Sequence, residues 1–248
     1  WGYFQAPSGA TTWTAAMTGP SVEVKDGDVE GWTFVFSNND IPAVSPMMEP
    51  NFSEMCGATS ETAGKIRVGL VVDFGAQYAQ LIARRVREVS IYSEIVPSHV
   101  SAAEVKAKNP EAIILSGGPS SVYADNAPIF DGEILKLGIP VFGICYGFQA
   151  MANALGGVVT KTGKSEFGRT QLTANDSKLF ANIPLSQLVW MSHGDAVTQA
   201  PAGFSVCATT QDTPVAAFEN ESGQLAGVQF HPEVLHSEQG QAILHNWL

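Results

Sequence analysis

The sequence predicts an α/β fold: an open, mostly parallel sheet flanked by helices, preceded by a small β or irregular segment. Three observations predict it. Ile66–Val72 is a near-continuous apolar run, the pattern of a central strand buried on both faces. Tyr78, Leu81, Ile82, Val86 and Val89 then recur at helical spacing. The same alternation returns at Ile139–Ile144, an apolar run that meets the frame Gly143-Ile144-Cys145-Tyr146-Gly147 before another helical stretch.

Between these landmarks the chain reads in order. Ser93–Val96 is a second strand. Ser101-Ala-Ala-Glu104 is a capping box that opens a short helix. Ala112–Leu115 is a third strand running into Ser116-Gly117-Gly118-Pro119. Ala150–Leu155 is the body of a helix, stopped by Gly156-Gly157. Shorter strands follow at Phe167–Thr173, Leu188–Met191, Phe204–Ala208, Val215–Glu219 and Leu225–Phe230, and Ser237–Trp247 is a closing helix. In such folds ligands gather at the carboxyl ends of central strands, which is where Cys145 falls.

The first 65 residues differ. They hold three of the five tryptophans, and Lys25 is the only basic residue before Lys65. Val22–Val24 and Trp32–Phe36 alternate like short strands around Asp26-Gly27-Asp28. Residues 41–52 read as loop and 60–64 as a linker. The segment resembles small secreted Gly-Trp-rich proteins. A fusion, a mis-joined sequence and an appended β module are all compatible with it.

Composition narrows the function classes. The chain has 248 residues, 45% of them hydrophobic, and a net charge of −11. The acidic balance argues against nucleic-acid or anionic-membrane partners, which need a basic face. Cys56, Cys145 and Cys207 are too few and too scattered for a disulfide framework, and they fit a reducing cytoplasm. No apolar run is long enough to cross a membrane as a helix. With no initiator Met and no signal-peptide pattern at Trp1, the chain reads as a fragment or processed product.

Gly-x-Cys-x-Gly at a strand-to-helix turn is a nucleophile elbow with sulfur in place of a serine oxygen. Glycines flank the nucleophile because the backbones approach closely there. The helix N-terminus favours a thiolate, and the Tyr146 N–H supplies one half of an oxyanion hole. Gly118 is the other half, with its backbone N–H close to the reacting carbonyl. Pro119-Ser120 follow without the Asp of an adenylating loop or the Lys of a Walker loop, so Gly117-Gly118 is no nucleotide site. Far downstream, Gly227-Val228-Gln229-Phe230-His231-Pro232-Glu233 ends a strand in His-Pro-Glu. Pro232 biases His231 towards an extended conformation, in which Glu233 lies on the same side and orients it. Cys145, His231 and Glu233 form a nucleophile–base–orienter triad. His193 lacks a neighbouring orienter of that kind and is left out of the base role. No His/Cys/Asp grouping has metal-ligand spacing.

These two motifs resemble the class I (triad) glutamine amidotransferase family. Val72-Asp73-Phe74-Gly75-Ala76-Gln77-Tyr78, Leu115-Ser116-Gly117-Gly118-Pro119 and Trp190-Met191-Ser192-His193-Gly194-Asp195 narrow the likeness to the glutaminase domain of the GMP synthetase family, from about Ile66 to Leu248. The resemblance implies a flavodoxin-like sheet and hydrolysis of L-glutamine through a cysteine thioester. It implies that Gln149, Ser192, Gly194 and Asp195 grip the α-amino and α-carboxylate groups of the substrate. It implies a partner, an ATP-pyrophosphatase domain that aminates XMP to GMP. ATP and Mg²⁺ are expected only there, and no cofactor is expected in this chain. Arg84, Arg85 and Arg87 read as a solvated face, with room for a partner contact. A truncated two-domain enzyme is favoured over a free-standing glutaminase subunit. The alternatives are a γ-glutamyl amidase or peptidase and an inert binding module.

Overall fold

The computed structural model describes residues 2–6, 14–15, 29–33, 68–76 and 78–248. The chain divides into two compact units, Trp1–Thr62 and Ala63–Leu248. In the first, β1 (Gly2–Ala6) pairs antiparallel with β2 (Thr14–Ala15) on one side and β3 (Val29–Thr33) on the other. Trp32 lies in β3, which begins before the predicted strand. The predicted Val22–Val24 strand, the Asp26–Asp28 turn, the loop and the linker lie outside the described residues, as does Cys56.

The second unit is built on one sheet with strand order β5-β4-β6-β7-β12-β11-β10-β8-β9. Its first block comprises β4 (Val68–Asp73), β5 (Tyr92–Pro97), β6 (Ala112–Leu115), β7 (Val141–Ile144) and β12 (Leu225–Val228), all paired parallel. The second block is antiparallel: β8 (Val158–Ala174), β9 (Ser186–Gln199), β10 (Phe204–Thr209) and β11 (Ala217–Asn220). The sheet is thus mixed, and the parallel half carries Cys145 at the end of β7.

Apart from the edge strand β5, the parallel strands are buried on both faces, which is why they read as apolar runs. Val71, Ile114 and Phe142 face α1 (Ala79–Arg87) and α4 (Gly240–Trp247). Leu70, Val72, Ile113 and Val141 belong to the opposite cluster, with α2 (Ala102–Lys108), a 3₁₀ turn at Gly132–Lys136 and α3 (Tyr146–Ala154). Local signals fix the helix ends. Ser101 and Glu104 cap α2 reciprocally. After α3, Gly156 takes φ 84°, and the Gly157 N–H reaches back 2.8 Å to the Ala152 carbonyl in a Schellman turn.

Several boundaries differ from expectation. β8 and β9 extend well beyond Phe167–Thr173 and Leu188–Met191, because Gly163 and Gly168, both at positive φ, sit inside a strand. β12 ends at Val228 instead of Phe230. α4 begins at Gly240, where a Cβ would lie 1.9 Å from the Pro232 carbonyl oxygen, so the turn after His231 takes the preceding residues.

The elbow is also tightly packed. A Cβ on Gly143 would come within 2.7 Å of the Phe148 backbone, and one on Gly147 within 2.3 Å of the Leu115 carbonyl oxygen. Neither obstacle is a flexible side chain that could move aside. Gly147→Ala therefore costs about 3 kcal/mol or more of unfolding free energy. Gly132→Ala, whose Cβ meets nothing within 4 Å, stays within about 0.5 kcal/mol of the parent. Urea unfolding of the two variants checks the contrast.

Candidate active site

Cys145 joins β7 to α3 with φ 50° and ψ −106°, a strained conformation for a residue with a side chain. Its N–H bonds to the Val228 carbonyl at 2.9 Å, and the Gly147 N–H bonds to Ser116 O at 2.9 Å. The nucleophile is therefore fixed by β12 on one side and by the end of β6 on the other. Tyr146 is the first helical residue, and its N–H has no acceptor within the helix. Gly118 lies against the Tyr146 ring, and a Cβ there would sit 2.9 Å from Phe74 O.

His231 and Glu233 meet as expected, with Nδ1 2.8 Å from Glu233 Oε1 and both side chains buried. The contact forms in a turn at Pro232-Glu233, not in an extended segment. A Cβ on Gly117 would be 3.2 Å from His231 Cε1 and 3.7 Å from Cys145 Cβ, so this glycine keeps the space between nucleophile and imidazole open. Burial works against charge on His231. The neighbouring Cys145 and Glu233 side chains outweigh it and raise the imidazole pKa to about 10.

The loop that carries the histidine is tied down by residues whose spacing announces nothing. Ser237 Oγ donates to His231 O at 2.6 Å and accepts from the Trp190 N–H at 3.0 Å, latching the loop to β9. Arg85 Nε donates to Glu233 O at 3.0 Å, and the same guanidinium pairs with Glu88. Arg85 thus turns inward, which corrects the solvated-face expectation for it; Arg84 and Arg87 remain exposed, Arg87 also bonding Ser93 Oγ. Tyr78 stands edge-on to the His231 ring at 5.8 Å.

A cleft of about 340 Å³ opens above Cys145. Gly118, Tyr146, Gln149, Ser192, Gly194 and Asp195 all line it, while His231 and Glu233 are buried beside the nucleophile. Its size is at the small end of ligand pockets, roughly 300–1,000 Å³. The Cys145 thiol points at the Ser192 carbonyl, 3.6 Å away. The Gln149 amide nitrogen is spent inside the protein, on Asp195 O at 2.6 Å and Gln229 Oε1 at 3.1 Å. The Asp195 carboxylate accepts a hydrogen bond from Ser121 Oγ. Ser121 and Phe167 also line the cleft and were not singled out from sequence. Neither was the orienter that His193 has: Glu166 Oε2 lies 3.2 Å from its Nε2, brought opposite by the β8–β9 register.

Cys207, the other described thiol, is pushed up to about 12 by burial and by Glu219. It is a core residue rather than a second nucleophile.

The folded pKa of His231, about 10, stands above its ordinary 6.5. Its contribution to stability is therefore complete below pH 6.5 and is lost as pH rises through about 10. The His231 Cε1 proton resonance should titrate near the upper value. Cys145→Ala and Glu233→Gln should each move the titration downward, and Glu233→Gln should flatten the alkaline fall in unfolding free energy.

The sequence profile of the family Glutamine amidotransferase class-I matches residues 70–248. A second profile, the SCO2322-like domain, matches residues 1–114. GMP synthase [glutamine-hydrolyzing] of Corynebacterium diphtheriae is 60% identical over 190 residues, covering 77% of this chain and 36% of that protein. Its counterpart in Streptomyces avermitilis is 63% identical over 181 residues, 72% of this chain and 34% of that protein. The chain thus spans about a third of the length of the curated relatives it matches. Among solved structures, a protein of Thermoplasma acidophilum described as a GMP synthase subunit gives TM-score 0.68 and 28% identity, over 75% of this chain and 94% of that one. A glutamine amidotransferase of Thermotoga maritima shares the fold, with TM-score 0.54 and 23% identity over 73% of this chain and 80% of that one. On sequence and on fold alike, the chain belongs to the class-I glutamine amidotransferase family.

Proposed function

We propose that the chain hydrolyses the side-chain amide of L-glutamine to glutamate and ammonia. The observation that carries this reading is the convergence at one small cleft of a cysteine on a strained elbow, a buried His–Glu pair and two glycine-framed amide donors. Cys145 Sγ, its proton held by His231, attacks the side-chain carbonyl carbon. The oxyanion forms between the Gly118 and Tyr146 N–H groups. His231, held through Nδ1 by Glu233, passes a proton from its other nitrogen to the departing amide, which leaves as ammonia. The γ-glutamyl thioester then accepts water, whose proton returns to His231 as the C–S bond breaks. This chemistry asks for no metal or nucleotide within the chain.

Ser192, Gly194 and Asp195, with Gln149 behind them, are proposed to hold the amino-acid end of the substrate. Ser121 joins them by fixing the Asp195 carboxylate. The ammonia is proposed to pass to an ATP-pyrophosphatase domain or subunit that aminates XMP to GMP, with ATP and Mg²⁺ bound there. The names of the relatives support this partner. A cytoplasmic setting is proposed with it, supported by the free thiols of Cys145 and Cys207. Among the described residues no helix is long and apolar enough to cross a membrane.

Ammonia release from glutamine by this chain, alone and with an added ATP-pyrophosphatase domain, ATP and XMP, tests the reading. Stimulation by the acceptor is expected. Cys145→Ala should abolish release, and Glu233→Gln should lower kcat by about 10²-fold or more. Undiminished turnover in the Cys145→Ala chain would sink the assignment.

A further inference from the structure

His193 is buried at the edge of the cleft, and nothing in the proposed chemistry uses it. Its two ring nitrogens have different partners. Nδ1 lies 3.0 Å from the Asp195 main-chain oxygen, and Nε2 lies 3.2 Å from Glu166 Oε2. Glu166 is itself pinned from the turn between β10 and β11. Thr210 Oγ1 donates to Oε1 at 2.7 Å, and the Thr213 hydroxyl donates to Oε2. An acceptor therefore faces each ring nitrogen. Nδ1 carries a hydrogen that it donates to Asp195 O. The Nε2–Oε2 contact is a hydrogen bond only with a second proton between those two atoms. The pair as a whole is then neutral, which is the form a buried site tolerates.

The same Asp195 oxygen also accepts the Gln149 amide at 2.6 Å, and the Asp195 carboxylate accepts from Ser121. Asp195 is thus held from three sides, by α3, by the loop after β6 and by its own strand. Of these supports, His193 is in turn braced by Glu166 of β8 and, through it, by the turn between β10 and β11. Gly194, between His193 and Asp195, has no side chain to resist movement, and a Cβ there would meet only Ser165 Oγ, at 3.6 Å. A flexible residue next to a substrate-holding one needs an external brace, and the ring supplies it.

We propose that His193, braced by Glu166, Thr210 and Thr213, is a positioning residue: through its Nδ1–H it holds Asp195 in place to receive the amino-acid end of the substrate. It does not act on Cys145. The proposal rests on the glutamine reading above and names what sets affinity at that site.

Side-chain amides separate the two bonds of the ring. Asn at this position can mimic the Nδ1 donor and keep Asp195 O while losing Glu166. Gln can mimic Nε2 and keep Glu166 while losing Asp195 O. Glutamine affinity is read by calorimetry on the full chain carrying Cys145→Ala, and nucleophile reactivity is read by the rate of iodoacetamide labelling at Cys145 in the otherwise unaltered chain. His193→Gln should weaken glutamine binding roughly tenfold, the loss expected for one buried hydrogen bond. His193→Asn should stay within about threefold, and neither should change the labelling rate. Glu166→Gln, whose amide donates to Nε2, should retain the affinity, and Glu166→Ala, which leaves the Nδ1 donor on Asp195 O, should weaken it by less than His193→Gln does; thermal melting of each variant separates this from unfolding. Equal losses in His193→Asn and His193→Gln would overturn the proposal, because a space-filling role does not distinguish the two bonds. So would slower labelling of Cys145, which would place His193 in the nucleophile's own machinery. A Cys145→Ala parent that binds no glutamine overturns the glutamine reading and this proposal together, and that outcome is distinct from the other two.

Discussion

The approach of Gly147 to the Leu115 backbone sets the position of everything else in the site. With no side chain between them, the first turn of α3 settles directly onto the end of β6, and the Gly147 N–H bonds Ser116 O. The helix can start that close to the sheet only if the residue before it turns sharply, and that residue is Cys145 at φ 50°. Strain at the nucleophile is thus the consequence of a packing contact, and the buried faces of Tyr146 and Phe148 hold it in place. Gly118 extends the same constraint to the neighbouring loop, where the Phe74 carbonyl and the Tyr146 ring occupy the space a side chain would need.

Features written in consecutive residues were legible in the sequence. The elbow, the Ser101 capping box and the Gly156-Gly157 stop depend on neighbours a few positions apart, so composition and spacing reveal them. His231 and Glu233 were legible as a pair, although the turn after Pro232 brings them together by a different route from the extended one expected. The arrangement around them was not legible. Arg85 reaches Glu233 O, Ser237 latches His231 to Trp190, and Glu166 meets His193 because helices and strands remote in sequence are neighbours in space. The length of β8 was hidden for another reason. Its glycines and its run of exposed polar residues carry the signature of a turn, and only pairing with β9 makes them a strand.

Two buried histidines flank the nucleophile, each beside a carboxylate, and their protonation is driven in opposite directions. His231 is raised because Cys145 and Glu233 together outweigh its burial. For His193 burial prevails, although Glu166 and the Asp195 carbonyl work against it. The difference is one of company. Around His231 both neighbours act on one ring, and Glu233 Oε2 has no hydrogen-bond partner among the described residues. Around His193 the carboxylate is already occupied by two threonine hydroxyls. A carboxylate with fewer competing donors is the stronger partner for a cation, so the more charged histidine belongs next to the thiol.

The β8–β9 register shifts at Val158–Val159 and again between Lys161 and Glu166, so the ladder runs in three segments. The last places Glu166 opposite His193 and Phe167 opposite Ser192. A slip of one residue in that segment would turn both to the other face of the sheet. The hairpin is a local structure, whereas Cys145 and His231 come together only when β12 pairs with β7 across much of the chain. Loop-closure entropy favours forming the β8–β9 hairpin before Cys145 and His231 are joined. Pulse-labelled amide exchange would read that order directly, as protection in β9 ahead of protection at Cys145, whose N–H is satisfied by Val228 of β12. A chain that misfolds late would then carry the formed β8–β9 hairpin without Cys145 and His231 brought together beside it.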